Sequence, residues 1–437
     1  MRPQFLKLMK CPYCGSGFRI QDVIEKNDEE VITGCIKCEC SEFPVVEGIL
    51  NLKTRPLNKL VVSLIKERRI SEAVIHCFGW EDFENLHRSY VPFRFIRGIH
   101  WAIGRFLFDL GYAELIREHG KVYSNYSDKS LPFCDVLGKS PSDMYLKSRF
   151  SSDEFWSIYP FIPLFKSKKS RILDLGCGAG HSSFVFSQYV EPQQHWCADL
   201  TFRRLYLAKK YFVKNAEFVC LDANFPLPFK DGVFDTIMML DAFHYVNSRA
   251  CLAREMERAL LPGGLILLPH LNNSLANFRT RGYPLTPQTY TDLFNSEQLE
   301  LKLMPERRIL ENFLFSNKLD LVEKYSADEL NSSPAIILMA TSDKSLFKVY
   351  DKVNRDFLSV KNNLVINPLY KMKLEDDSIL LVPSYEDYYL NEMHTPEKYK
   401  IGKELVSGRK VHISDLEKAE DLMKRFVIIN VPENYLK

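Results

Sequence analysis

The stretch RILDLGCGAGHSS, residues 171–183, decides the fold. Ile172, Leu173 and Leu175 are apolar and of β character, with one acid, Asp174, among them. Gly176, Gly178 and Gly180 follow on alternate positions, and a run with helical potential begins at Ser182 and reaches Val190. The pattern predicts a strand, a glycine turn and a helix N-terminus. Glycine has no Cβ and tolerates positive φ, so a ligand can lie against the bare backbone of such a turn. A dinucleotide fingerprint requires a glycine three positions after the second one, and that position is His181.

The flanking sequence repeats the theme. After the apolar residues 195–198 comes Asp199, placed to end a second strand and accept from both hydroxyls of a ribose. Residues 217–221 predict a third strand, ending in Asp222-Ala223. A polar turn at Lys230-Asp231-Gly232 precedes a fourth strand over 234–240. A helix over 248–260 leads through Pro262-Gly263-Gly264 into a fifth strand at 265–269. Residues 319–325 and 335–341 read as two more strands.

This ordered set resembles the class I S-adenosylmethionine-dependent methyltransferases over roughly residues 150–343. The D-x-G-x-G-x-G turn matches motif I of that family, and the L-x-P-G-G turn matches the approach to its fifth strand. The resemblance implies a Rossmann-like α/β fold with a seven-stranded sheet, in which 319–325 and 335–341 form the reversed final hairpin. It implies S-adenosylmethionine as cofactor, held by Asp174, Gly176, Cys177, Gly178 and Gly180, by Asp199 with Leu200, and by Asp222, whose family counterpart bonds the adenine amino group. The Ala223 N–H would meet the adenine ring, with Leu240 beside the site.

The acceptor should lie beyond the carboxyl ends of strands four and five. Asp241 and His244 follow the fourth strand and His270 follows the fifth. His244 is the first candidate for a general base and His270 the second; each could equally be satisfied by backbone hydrogen bonds. His181 is placed to cap a helix or touch the cofactor. The segment 272–317 reads as an insertion of the kind that forms acceptor pockets, with Arg279, Arg281 and Tyr283 as candidates and a helix over 305–315.

The N-terminal residues carry a different signal. Cys11 and Cys14 form a C-x-x-C knuckle, and Cys35, Cys38 and Cys40 form a second cluster beyond short predicted strands at 18–22 and 30–33. Four thiolates hold zinc tetrahedrally and leave no open position, so the metal would be structural. Either Cys35 or Cys40 completes the set with Cys38. The cysteines, followed by Phe43-Pro44-Val45 and Gly48-Ile49, resemble the small zinc-ribbon family that partners several methyltransferases.

The chain therefore divides into a zinc-ribbon-like domain (1–54), a helical linker or lid (55–149), the methyltransferase-like domain (150–343) and a C-terminal α+β module (344–437). In the linker, residues 93–112 set Phe93, Phe95, Ile96, Trp101, Phe106 and Leu107 among Arg94, Arg97 and Arg105. This predicts an interfacial membrane helix, a cap over an apolar substrate, or a helix buried between domains. Tyr145, Arg149 and Phe150 are placed to close over the cofactor. In the last module, strands are predicted at 364–366, 379–382 and 426–431, with a helix over 415–425 capped by Ser414.

Composition narrows the function. With 437 residues, 46% of them hydrophobic, the chain supports more than one core. A formal net charge of +2, with both signs interspersed, gives no bulk attraction to nucleic acid. Met1 is not followed by an apolar signal segment, no uncharged apolar run is long enough to span a bilayer, and eleven cysteines suit a reducing cytoplasm. The expected activity is methyl transfer to a small-molecule or metabolite-linked acceptor. RNA methylation is the second reading, weakened by the charge balance and by Leu240-Asp241-Ala242-Phe243 standing where an Asn-Pro-Pro-Tyr motif would mark base methylation. A non-catalytic scaffold is the third, opposed by the intact acids Asp174, Asp199 and Asp222.

Overall fold

The computed structural model describes all residues except 54–55, 91–98, 166–168, 277–281, 295, 297, 352, 354–362, 384–397, 414 and 437. Phe93, Arg94, Phe95, Ile96, Arg97, Arg279, Arg281 and Ser414 therefore lie outside the described residues.

The chain opens with a short 3-10 turn, then the hairpin β1 (Arg19–Asn27) and β2 (Glu30–Lys37), followed by β3 (Glu42–Val46) and β4 (Ile49–Asn51). Four helices come next: α1 (Pro56–Lys66), α2 (Ile70–Phe78), α3 (Trp80–Tyr90) and the long α4 (Ile99–Ser127). The short helices α5 (Phe133–Val136), α6 (Pro141–Ser148) and α7 (Asp153–Trp156) lead to the glycine-turn strand β5 (Ile172–Leu175). From there strands and helices alternate: α8 (His181–Phe186), β6 (His195–Asp199), α9 (Phe202–Leu207), β7 (Glu217–Cys220), β8 (Phe234–Met238), α10 (Arg249–Ala259) and β9 (Leu260–Asn272). Then come α11 (Pro287–Leu293), β10 (Glu300–Pro305), α12 (Glu306–Ser316), β11 (Lys318–Asp320), α13 (Ala327–Ser332), β12 (Ala335–Thr341) and β13 (Val349–Asp351).

One sheet of eleven strands replaces the expected seven, in the order β1-β2-β3-β4-β7-β6-β5-β8-β9-β12-β10. The five strands β7, β6, β5, β8 and β9 run parallel; β12 lies antiparallel to β9, and β10, antiparallel to β12, returns to the direction of the five. Residues of each strand alternate between two cores on opposite faces. Cys197 and Phe218 join one, while Trp196, Ala198 and Val219 join the other. This period of two, with both faces buried, explains why these strands read as continuous apolar runs.

Two sequence expectations are corrected here. The penultimate strand of the sheet is β10, not 319–325. Leu319 sits in β11, which pairs only with β13 in a separate two-stranded sheet. The strand at 300–305 was hidden because its alternation is weak (ELKLMP, half-exposed), and it lies inside what reads as an insertion. Second, the N-terminal strands do not stand apart: β4 pairs in parallel with β7, Ile49 opposite Phe218 and Asn51 opposite Cys220. Arg2 clasps Glu217 of β7 at 2.5 Å, and the Phe5 ring packs edge-on against Trp196 at 5.3 Å.

The described residues from Asn363 onward form two small antiparallel sheets and the helix Leu416–Lys424. Their end returns to the centre of the molecule. Tyr435 is fully buried, stacks on Phe133 at 5.3 Å and donates its hydroxyl to the Lys147 carbonyl at 2.6 Å. The tail thus backs α6. Tyr435→Ala should lower unfolding stability by about 3 kcal/mol, as for other large buried rings. Tyr435→Phe should cost only about 1 kcal/mol, the value of one hydrogen bond. Equilibrium denaturation of both variants checks this, and equal losses would contradict the ring-packing role.

Candidate functional site

The parallel strands β5 to β9 end on one side of the sheet, and a cavity of about 660 Å³ opens there. That volume suits a small organic ligand. The glycine turn forms its floor: Gly176, Cys177, Gly178 and Ala179 line it. Gly178 has φ +56°, and a Cβ added there would meet nothing within 4 Å, so its backbone faces open space. Gly176, at φ +76°, has no such room, since a Cβ would lie 2.7 Å from Ala242. Asp199 holds the turn from the side, accepting from Gly178 N at 2.9 Å and Thr201 N at 2.8 Å. Leu200, Asp222, Ala223 and Leu240 also line the cavity.

Asp174 does not face the cavity. It is fully buried beneath the turn, where Ser182 and Ser183 donate to its Oδ2 at 2.7 and 2.6 Å. Burial and the neighbouring Cys197 raise its carboxyl to about 6. Its place is structural support for the first turn of α8. Gly180 lies at that helix start with φ +92°, packed on Ala208, and is likewise outside the cavity lining.

A second group of polar residues closes the other end. Asp241, just past β8, accepts from Tyr145 Oη at 3.0 Å and meets Arg149 Nη1 at 3.2 Å. The Arg149 guanidinium also lies over the Tyr145 ring, 4.9 Å from its centre. His270, near the end of β9, turns its Nδ1 to Glu306 at 2.8 Å. Its Nε2 lies 3.9 Å from both Asp241 and Glu154. Tyr145, Arg149, Glu154, Asp241 and His270 all line the same cavity as the glycine turn. Asp241 and His270 both adopt positive φ, +51° and +54°, a conformation in which Asp and His are more common than other non-glycine residues.

The electrostatics distinguish the histidines. Burial opposes a charge on His270, but Glu306 and Asp241 outweigh it and raise its pKa to about 10. Burial pushes the Glu306 carboxyl up, and the imidazolium pulls it back. His244, the first candidate base, is corrected: it is buried outside the cavity lining, with Nδ1 3.3 Å from Asn272 Nδ2. Burial lowers its pKa to about 4, so it stays neutral. His181 lines the cavity with Nε2 donating to the Leu146 carbonyl at 3.0 Å, and burial lowers it to about 3. Phe150 is corrected as well, since it is buried against Phe155 and His181 rather than over the cavity. Tyr283 is 64% exposed and does not line it.

Glu154 and Glu306 are the residues sequence reasoning missed. Each sits in the first turn of a helix, α7 and α12, where an acid ordinarily reads as a complement to the helix dipole.

At the far edge of the sheet, the Sγ atoms of Cys11, Cys14, Cys38 and Cys40 all lie within 4.8 Å of one another. The shorter separations are 3.4, 3.7 and 3.9 Å. Zinc–sulfur bonds of about 2.3 Å imply tetrahedral edges of about 3.8 Å, so this donor set fits a zinc ion. Cys35 is corrected: it is buried in β2 opposite Pro44 and joins an apolar core, not the cluster.

Residues 173–268, spanning β5 to most of β9, match the family described as a methyltransferase domain. A malonyl-[acyl-carrier protein] O-methyltransferase of Marinomonas is 30% identical over 103 residues, 23% of this chain and 38% of that protein. A ubiquinone/menaquinone biosynthesis C-methyltransferase of Pseudomonas putida is 29% identical over 120 residues, 26% of this chain and 46% of that protein. The solved YcgJ protein of Bacillus subtilis is 20% identical, covering 43% of this chain and 98% of its own, with a TM-score of 0.32. The chain spans less than half the length of these curated relatives. It carries a methyltransferase domain of the kind that uses S-adenosylmethionine.

The raised His270 pKa has a defined sign. Its stabilising contribution is full below the ordinary histidine value of about 6.5 and is lost as pH rises through about 10. NMR titration should find His270 protonated through neutrality. Glu306→Gln should move the titration toward the ordinary value and remove that alkaline loss of stability. Titration near the ordinary value in the wild type would refute the ion pair.

Proposed function

We propose that this protein transfers a methyl group from S-adenosylmethionine to a small-molecule or carrier-linked acceptor, with His270 receiving the acceptor's proton. One observation carries the reading: His270 lines the cavity floored by the Gly176–Ala179 turn, its Nε2 3.9 Å from Asp241 and Glu154 of the same lining, while Glu306 holds its Nδ1. The residues fit the cofactor. The bare backbone at Gly178, the Asp199 carboxylate and the Asp222-Ala223 corner form one continuous wall. Asp199 and Asp222 would take the ribose hydroxyls and the adenine amino group, with Leu200 and Leu240 against the ring.

S-adenosylmethionine, when bound, supplies a methyl on a cationic sulfur, already activated for displacement. The chain's own task is positioning and proton removal. Tyr145 and Arg149, tied to Asp241, wall off the acceptor end and exclude water. His270 would take the acceptor's proton at Nε2 during methyl transfer. Glu306 fixes the ring and balances the resulting imidazolium. Asp241 lies beside both cations and is a positioning residue in this scheme.

The cavity chemistry supports a small acceptor over RNA. Glu154, Asp199, Asp222 and Asp241 line it against Arg149, Arg204 and the His270 imidazolium, a set with no cationic excess to draw a phosphate backbone. The named activities of the relatives, on a malonyl carrier protein and in quinone biosynthesis, accord with this class. All eleven cysteines are free, which supports a reducing, cytoplasmic location. Among the described residues no helix is long and apolar enough to cross a membrane.

Calorimetry should show saturable binding of S-adenosylmethionine and of its demethylated product. Asp199→Ala should weaken it by about 1–3 kcal/mol, the cost of stranding buried partners. In turnover, His270→Ala should lose about 10²–10⁴-fold, and the wild-type rate should climb with pH past neutrality because the base form appears only as His270 deprotonates. His244→Ala should keep the rate. A full-rate His270→Ala variant would sink the assignment.

We further propose that Cys11, Cys14, Cys38 and Cys40 hold one structural zinc. A domain this small needs metal or a partner to fold, and here the ribbon also feeds β4 into the sheet. Elemental analysis should find about one zinc per chain. Cys38→Ser should lose it and lower the melting temperature, whereas Cys35→Ser should retain it. Metal retained in Cys38→Ser would refute the ligand set.

A further inference from the structure

Among the described residues, Glu154 is the one acid of the cavity lining whose carboxylate accepts no hydrogen bond. The others are taken. Asp199 accepts from the backbone of Gly178 and Thr201. Asp222 accepts from Asn224 N and Nδ2, both at 2.9 Å. Asp241 accepts from Tyr145 and faces Arg149. Glu154 Oε1 lies 3.9 Å from His270 Nε2, and its Oε2 lies 3.7 Å from Arg149 Nη1, too far for either to donate. Both cations are engaged at closer range, Arg149 by Asp241 at 3.2 Å and His270 by Glu306 at 2.8 Å. The Glu154 side chain keeps 22% of its surface exposed, so a ligand in the cavity can reach it. A half-enclosed carboxylate without a donor is costly until a ligand supplies one.

The position is built. Glu154 sits in the first turn of α7, whose N-cap Ser152 accepts from Phe155 N at 3.3 Å. Phe155 and Trp156 are each 2% exposed and fix the helix in the core. A second residue of the lining points to the same kind of ligand. Asn272, the last residue of β9, is 2% exposed and leaves its Oδ1 without a hydrogen-bond partner. Arg149 Nη1 makes no hydrogen bond either, but Asp241 balances its charge. The acids do not converge as metal ligands do. Among the described residues, the cysteine cluster is the one group whose donor atoms lie close enough to share an ion.

Charge sets the class of donor. Toward the acceptor, Glu154, Asp241 and Glu306 stand against Arg149 and His270. Toward the adenosine, Asp199 and Asp222 stand against Arg204. Each end has one more carboxylate than cation. The net positive charge of S-adenosylmethionine would offset one of these, and a cationic acceptor would offset the other.

We infer that the acceptor carries a protonated amine and that Glu154 is the specificity-determining residue that binds it. The inference rests on the methyl-transfer reading above and names a chemical class of acceptor for it.

Calorimetry on the full chain tests it with two probes of similar size and opposite charge, benzylamine and benzoate. Each is titrated into protein saturated with S-adenosylhomocysteine. Benzylamine should bind saturably and benzoate at least about tenfold more weakly, because only the amine gains a charge-assisted hydrogen bond. Glu154→Gln should weaken benzylamine at least about tenfold, with the affinity for S-adenosylhomocysteine and the unfolding midpoint nearly unchanged. Glu154→Asp keeps the charge and should keep the preference for benzylamine. Benzoate binding as tightly as benzylamine would overturn the inference. So would undiminished benzylamine binding by Glu154→Gln, or no benzylamine binding by protein that does bind S-adenosylhomocysteine. Failure to bind S-adenosylhomocysteine at all, visible in the first titration, would overturn the methyl-transfer reading and this inference with it.

Discussion

The edge of β7 is the constraint on which the rest of the molecule depends. A parallel sheet built from β5 to β9 has a free strand on one side, and a free strand offers unpaired N–H and C=O groups to any passing chain. Here β4 occupies that edge, and Leu52 N extends the pairing to the Cys220 carbonyl at 2.8 Å. The pairing is reinforced by charge: Arg2 clasps Glu217, and Lys209 with Glu30 ties the helical layer behind β6 to the β1–β2 hairpin. Asp222, which follows β7, and Asp199, which ends β6, are therefore braced from the N-terminal side. Lys53, just past β4, reaches the Leu200 carbonyl at 3.3 Å. A ribbon far from the cavity thus helps set the cavity's wall.

The opposite end of the cavity rests on buried charge. Asp241 is held below the usual carboxylate range because, although burial opposes its charge, His270 and Arg149 outweigh it. His270 stays charged at that depth because of Glu306 and Asp241, and Asp241 in turn is held ionised by His270 and Arg149. The group is a poor source of stability, since apolar residues of equal size would pack there without the cost of desolvation. It is a good source of geometry. Each member fixes the next, so the Nε2 of His270 is aimed rather than merely present.

How much of this the sequence discloses varies with the physical cause. The five parallel strands are legible because both faces are buried and turn residues bound each one. The acids Asp199 and Asp222 are legible because they stand at strand ends. Strand β10 is not, because its residues are only half-buried and alternation is lost. The choice between Cys35 and Cys40 turns on which way a side chain faces along β2, a tertiary fact that spacing leaves open. That His270 and not His244 lines the cavity is hidden in the sequence for a similar reason. His244 follows strand β8 closely in sequence, yet the 3-10 turn at Phe243–Tyr245 swings it beneath Gly282, whose Cβ would lie 2.7 Å from the ring.

Asp241 also links the two ends of the domain. Through Tyr145 and Arg149 it holds α6 and the turn after it, and α6 is backed in turn by Tyr435 from the last residues of the chain. The cavity wall is thus assembled from segments nearly three hundred residues apart (Lys147 and Tyr435), with Asp241 on the sheet as the common partner. This division of labour follows from what each element can supply. Strand ends are rigid and present few side chains, so they position the acids and His270. Helices that follow no strand can be shaped freely, so they supply the cover. A charged residue in a strained backbone position at the strand end, as Asp241 is at φ +51°, adds a polar tie between the rigid sheet and its cover, beside the apolar core that Leu146 and Phe150 share with Cys177 and Phe186.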